Sequence, residues 1–254
     1  IMAIMITEPG AGSDVAGIDC KAVKDRDYWV LNGTKMFSTN GSIADYAIVL
    51  CRTEDSGDRH KRFSTLIVDL KSDGITRTKL RGKLGMRASD TAEVRYGDVY
   101  VPQENLMGKR GRGFYHIMDF FNRSRTWVAA QAVGVARGAL EMAVEHVKKF
   151  GNPPQDIQFK IAEMATKIEA ARALVYKSCI SVDGEKIIPG LSALAKWYAA
   201  KIAVEAVDEC LQIYGRDGCF NDISRFYRDA KALEIYEGTK EIEKLLIGRS
   251  ILRR

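Results

Sequence analysis

The chain has 254 residues, 46% of them hydrophobic and 28% charged, which is enough for one large or two ordinary packed domains. The five cysteines (Cys20, Cys51, Cys179, Cys210, Cys219) are widely spaced without a C-x-x-C pair, and the three histidines do not cluster with them, so neither a disulfide framework nor a metal site is expected. A net charge of +6 suits an anionic partner, but no nucleic-acid motif accompanies it and no apolar run approaches the length of a transmembrane segment.

Ile1–Ile6 is apolar throughout and reads as a buried strand already under way, so residue 1 is expected to lie inside a longer natural protein. Cys20–Lys24 and Tyr28–Gly33, separated by Asp25-Arg26-Asp27, read as a hairpin. Short apolar or alternating runs follow at 45–51, 63–68, 91–96 and 99–102. Strands of this length between Gly, Asp, Asn and Ser clusters predict a small β-barrel or sandwich. After Gly113 the period changes. Val128, Ala132, Val135, Ala139, Met142 and His146 recur at steps of four and three, and Ile161–Val175 and Leu191–Ile202 repeat the pattern. A fourth helix is expected from Tyr227 to Ile251. The fold class is therefore α+β: a small β-barrel or sandwich domain over residues 1–107, then an antiparallel four-helix bundle over 108–254.

Three loops and one carboxylate carry chemical interest. Thr7-Glu8-Pro9-Gly10-Ala11-Gly12-Ser13-Asp14 combines backbone freedom with hydroxyl donors, but lacks the third glycine and the following helix of a dinucleotide fingerprint. Asn32–Gly41 reads as a turn, a strand carrying Phe37, Ser38 and Thr39, and another turn; Leu84–Thr91 is a third loop. Glu237 stands in an apolar stretch (Leu233, Ile235, Tyr236, then Ile242, Leu245) and is followed at once by Gly238. Apolar surroundings disfavour a charged carboxylate, and general bases are tuned in this way. Alone, the pair reads more readily as a surface carboxylate at a helix break.

Taken together, Thr7–Asp14, Leu84–Thr91, Arg228-Asp229-Ala230-Lys231 and Ile235-Tyr236-Glu237-Gly238-Thr239 closely resemble, in order, the signature regions of the acyl-CoA dehydrogenase family. The resemblance runs from the family's middle β-domain through its C-terminal helical domain. It implies FAD-dependent α,β-dehydrogenation of an acyl-CoA thioester to the 2-enoyl-CoA, with Glu237 as the base that takes the α-proton and the flavin as hydride acceptor. Some members carry the base on the first C-terminal helix, at the position of Ser124, which favours Glu237 here. The cofactor contacts implied are Thr7, Gly12, Ser13, Phe37, Ser38, Thr39, Arg125, Gln155, Gln212, Gly215, Thr239 and Glu241, with Gln155, Gln212 and Gly215 reaching a neighbouring subunit's FAD. The substrate contacts implied are Ser13, Asn122, Arg125, Gly238 and Arg249. A homotetramer, electron-transfer flavoprotein as electron acceptor, and a prokaryotic cytoplasm or mitochondrial matrix also follow from the resemblance.

The sequence departs from the family pattern in several places. The N-terminal helical domain is absent from the chain, short gaps fall near 149–155 and 221–223, and Phe37 and Asn122 stand where the family often has Trp and an acidic residue. An acyl-CoA oxidase, a flavin monooxygenase of the same superfamily, or a relic that binds without turnover would share most of these residues.

Overall fold

The computed structural model describes residues 1–184 and 187–252. Seven strands precede five helices among them, as the change of hydrophobic period at Gly113 predicts. Two compact units result, Ile1–Lys83 with Arg87–Asp119 and Leu84–Met86 with Phe120–Arg254.

In the first unit the strands are β1 (Met2–Met5), β2 (Lys21–Asp25), β3 (Tyr28–Thr39), β4 (Tyr46–Arg52), β5 (Phe63–Asp69), β6 (Ile75–Lys79) and β7 (Thr91–Pro102). They form one sheet in the order β1-β4-β2-β3-β7-β6, with β5 paired to β4. The predicted hairpin is β2–β3, antiparallel, with Asp25 opposite Tyr28 and Arg26 in the left-handed region at φ 51°. Alternation along the strands turns Leu31, Val49, Leu66, Val94 and Val99 into a shared, fully buried core.

Two details differ from the sequence reading. Asn32–Gly33 is no turn: β3 runs through it to Thr39, and the break in pattern is absorbed by shifts of register against β7 at Leu31/Gly33 and again at Lys35/Ser38. The strand β6 was not foreseen, because it is an edge strand exposed along almost its whole length and shows no apolar alternation.

The helical unit contains most of α1 (Gly113–Lys148), then α2 (Gln155–Asp183), α3 (Pro189–Tyr214), α4 (Asp222–Leu233) and α5 (Lys240–Leu252). The buried stripes of α1 and α3 are rich in alanine: Ala129, Ala132, Ala136, Ala139 and Ala143 on the first, and Ala195, Ala199, Ala200, Ala203 and Ala206 on the second. Such small side chains let helix axes approach closely, and α3 packs against α2, α4 and α5. The expected fourth helix from Tyr227 to Ile251 is therefore corrected to two, α4 and α5, separated by six residues, 234–239. Glu237 and Gly238 have φ of +54° and +100° there, and neither conformation can continue a right-handed helix.

Gly85 fixes the piece Leu84–Met86 onto this unit. A Cβ on it would lie 2.2 Å from the Arg228 carbonyl oxygen, so only glycine allows the approach, and the Met86 N–H donates to Asp229 Oδ1 at 2.6 Å. Leu84–Met86 and Arg228-Asp229, each from a stretch singled out in the sequence, thus meet.

Candidate functional site

In the sheet unit, the loop from Thr7 to Asp14 is closed by reciprocal backbone bonds between Glu8 and Ala11 (2.9 and 3.2 Å). Glu8 points inward and accepts from Lys35 Nζ at 2.7 Å, the Asp19 N–H at 2.7 Å and the Cys20 N–H at 3.0 Å. Lys35, fully buried, also donates to the Ile6 carbonyl at 2.9 Å. The Met36 N–H donates to the Thr7 carbonyl at 2.8 Å, so the loop lies beside the end of β3.

There the Lys35/Ser38 register shift turns Phe37 outward with φ 56°. Its ring is 64% exposed, which is unusual for a large aromatic in a strained backbone position. Ser38 Oγ is buried without a hydrogen-bond partner among the described residues, and Thr39 is exposed next to it. Thr7, Phe37, Ser38 and Thr39 are thereby brought side by side, with Gly12 and Ser13 on the exposed part of the same loop. An open aromatic face, an orphaned buried hydroxyl and free loop hydroxyls fit a flat ligand with a polar edge.

In the helical unit, Glu237 sits half-buried in the interruption between α4 and α5, and Ser124 on α1 donates its Oγ–H to Glu237 Oε2 at 2.6 Å. The next residue is held from three sides. The Gly238 carbonyl accepts from Lys196 Nζ of α3 at 2.5 Å, its left-handed φ favours glycine, and an added Cβ would fall 2.2 Å from Glu243 Oε1. Glu243 on α5 accepts from Arg125 Nε at 2.9 Å, both side chains being almost wholly buried, and Arg125 also reaches Asn122 Oδ1 at 3.1 Å.

Burial pushes the Glu243 carboxyl up to about 7, with Arg125 and Lys196 opposing, and pulls the Lys196 ammonium down to about 8, with Glu243 opposing. Asn122, Ser124, Arg125, Glu237 and Gly238 are thus brought together, with Thr239 at the start of α5. The sequence reading missed Lys196 and Glu243. Lys196 falls on the same helical face as Ser192, Ala199 and Ala203, all buried, and a charge on that stripe was the available signal.

The other sequence-predicted residues lie elsewhere. Glu241 and Arg249 are exposed on α5 and form no hydrogen bond or ion pair with this cluster among the described residues. Gln155 begins α2, while Gln212 and Gly215 end α3, and the 3.0 Å ion pair Lys160–Glu209 sets these two helix ends side by side. At 1.5 Å per residue, roughly 24 Å of α3 separates Gln212 from Lys196, so this group is remote from Glu237.

Residues 3–99 match the family model of the acyl-CoA dehydrogenase middle domain, and 111–252 match that of the acyl-CoA dehydrogenase C-terminal domain. The chain belongs to the acyl-CoA dehydrogenase family. That family is a flavin-dependent group of oxidoreductases acting on CH–CH bonds. Similar acyl-CoA dehydrogenase relatives include cyclohexane-1-carbonyl-CoA dehydrogenase of Geobacter metallireducens, 40% identical over 100% of this chain and 68% of the relative. Another is the CarC subunit of the caffeyl-CoA reductase–Etf complex of Acetobacterium woodii, 38% identical over 100% of this chain and 69% of the relative. The structure of butyryl-CoA dehydrogenase from Megasphaera elsdenii superposes with a TM-score of 0.96 at 39% identity, over 100% of this chain and 69% of that one. The chain thus spans about two thirds of the length of these acyl-CoA dehydrogenase relatives. Among the described residues no helix is long and apolar enough to cross a membrane, and no cluster of metal-ligating side chains occurs.

Proposed function

We propose that the chain carries out FAD-dependent α,β-dehydrogenation of an acyl-CoA thioester, with Glu237 as the base. The observation that carries this reading is the backbone around Glu237. A non-glycine residue in the left-handed region, at the interruption of two helices and over buried charges, is strain of the kind found at reacting groups. Glu237 takes the proton from the α-carbon, and the Ser124 hydroxyl at 2.6 Å steers which carboxylate oxygen faces it. The Glu237 N–H makes no hydrogen bond among the described residues and is free to donate to the thioester oxygen as negative charge develops, a device typically contributing about 3 kcal/mol.

In this reading Thr7, Gly12, Ser13, Phe37, Ser38, Thr39, Arg125, Thr239 and Glu241 hold FAD; Gln155, Gln212 and Gly215 serve a neighbouring subunit's FAD in a homotetramer. When bound, FAD supplies the acceptor for the β-hydrogen and its two electrons. Ser13, Asn122, Arg125, Gly238 and Arg249 hold the acyl-CoA. Residues 1–107 act as the flavin and thioester domain, and 108–254 carry the base and the oligomer contacts. Electron-transfer flavoprotein is the acceptor from the flavin, in a prokaryotic cytoplasm or mitochondrial matrix; the Etf complex of the Acetobacterium relative supports this partner.

The purified protein reconstituted with FAD, mixed anaerobically with butyryl-CoA or cyclohexane-1-carbonyl-CoA, tests the reading. Bleaching of the flavin absorption that persists until electron-transfer flavoprotein is added is the expected result. Rapid reoxidation by air alone marks an oxidase, and binding without bleaching by any acyl-CoA marks a relic.

A further inference from the structure

Glu237 projects from a backbone that its own sequence does not stabilise. The left-handed conformation of Glu237 costs free energy, and it persists only where the surroundings over-determine it. Tyr236 donates its hydroxyl to Gln131 Oε1 at 2.5 Å on one side of Glu237, and on the other the Gly238 carbonyl receives Lys196 Nζ. That ammonium is completely buried, and its single hydrogen bond among the described residues is the one to Gly238. Burying an ammonium with one hydrogen bond is costly, so its bond to this carbonyl is one the fold keeps against that cost.

The charged and titratable groups facing it are Arg125 from α1, Glu243 from α5, and Glu237 and Glu234 from the α4–α5 connection. Glu243 is also fully buried, spends one oxygen on Arg125, leaves Oε2 without a partner, and leaves no room for a side chain at Gly238. The arrangement is a compact cluster that reaches the reacting carboxylate through the backbone of Gly238, through Ser124 beside Arg125, and through the field of its charges.

We propose that Lys196 is a positioning residue for the reaction: its ammonium clamps the Gly238 carbonyl and so fixes the left-handed turn from which Glu237 points, with the Arg125–Glu243 pair as its support. The inference rests on the reading of Glu237 as the base. The clamp acts in two separable ways. It restrains the segment Ile235–Thr239, and its positive charge favours the carboxylate form of groups beside it, whereas Glu243 when ionised disfavours that form.

Three variants of the FAD-loaded chain, Lys196→Met, Glu243→Gln and Glu237→Gln, test it with butyryl-CoA and cyclohexane-1-carbonyl-CoA as probes. Anaerobic flavin reduction is followed against pH, and amide exchange is followed over Ile235–Thr239. Lys196→Met is expected to bind acyl-CoA within about 3-fold of the native protein and to reduce its flavin about 10- to 100-fold more slowly, the scale of a misplaced reacting group. Its amides over Ile235–Thr239 exchange faster while those of α1 to α3 keep their protection. The pH at which reduction is half-maximal moves up in Lys196→Met but not in Glu243→Gln, which removes no positive charge; a rise confined to the lysine variant is a signature that general loosening does not produce. A folded Lys196→Met protein with native reduction rate and unmoved half-rise overturns the inference. Where Lys196→Met does not fold, Lys196→Gln decides: slower reduction with an upward half-rise supports the clamp, and a native rate with an unmoved profile overturns it. Glu237→Gln separates the two readings, because native reduction in that variant brings down the base itself, whereas its loss beside an unchanged Lys196→Met brings down only the clamp.

Discussion

Each unit buries a lysine and a glutamate, and the two arrangements are built differently. In the sheet unit Lys35 and Glu8 meet directly at 2.7 Å, and Glu8 is completed by two backbone N–H groups while Lys35 also holds the Ile6 carbonyl. In the helical unit Glu243 pairs with Arg125 rather than with Lys196, keeps one oxygen without a partner, and is pushed up to about 7 by burial. Lys196 spends its donor on the backbone beside Glu237 and is pulled down to about 8. A satisfied pair ties the Thr7–Asp14 loop to β3. An under-satisfied cluster is held near its titration range, next to a strained residue, which is how a reacting site differs from a structural one.

Lys35→Met leaves Glu8 buried and unpaired, and should lower unfolding free energy by about 3–5 kcal/mol, measured by denaturant titration of the FAD-free chain. A loss below about 1 kcal/mol would place Lys35–Glu8 among pairs of little structural weight. Gly238→Ala meets Glu243 Oε1 and a left-handed φ together, and should cost about 1–3 kcal/mol in the same titration. Unchanged stability there would mean that the cluster yields easily and does not define the backbone of Glu237.

The third and smallest effect concerns pH. The Glu243 carboxyl rises from 4.5 to about 7 on folding, so the folded state holds its proton where the unfolded chain has lost it. The stability it contributes is full below 4.5 and is lost as pH rises through about 7. Across that window the native chain should lose on the order of 1–3 kcal/mol that Glu243→Gln does not lose, as read from unfolding curves at successive pH values. Parallel pH profiles for the two proteins would remove Glu243 as a buried titrating group.

Much of this architecture was legible from hydrophobic period alone. The β2–β3 hairpin, the switch at Gly113 and three long helices follow from the spacing of apolar residues. The edge strand β6 and the register shifts of β3 were not, because neither leaves an apolar signature; the shift at Lys35/Ser38 shows only once β7 is laid beside β3. The break between α4 and α5 was half legible: Glu237-Gly238 suggested an interruption, yet the apolar repeat on either side reads as continuous helix. Ser124 and Glu237 are separated by 113 positions, and Arg125 and Glu243 by 118. Sequence motifs pointed to Glu237 and Arg125, and Lys196 left only a charge on a buried stripe, whereas Glu243 becomes visible only when three helices converge on Gly238.

We propose that Glu237 takes the α-proton, and rapid-mixing reduction of Glu237→Gln tests that role. Glutamine keeps the size of the side chain and can still accept from Ser124, but it cannot take a proton. With FAD bound, the variant should retain the oxidised flavin spectrum and its perturbation by butyryl-CoA or cyclohexane-1-carbonyl-CoA. Anaerobic reduction should fall by more than the ~10²–10⁴-fold that a general acid–base contribution typically supplies, because the essential acceptor of the proton is gone. A Glu237→Gln protein that bleaches its flavin at the native rate would contradict the account.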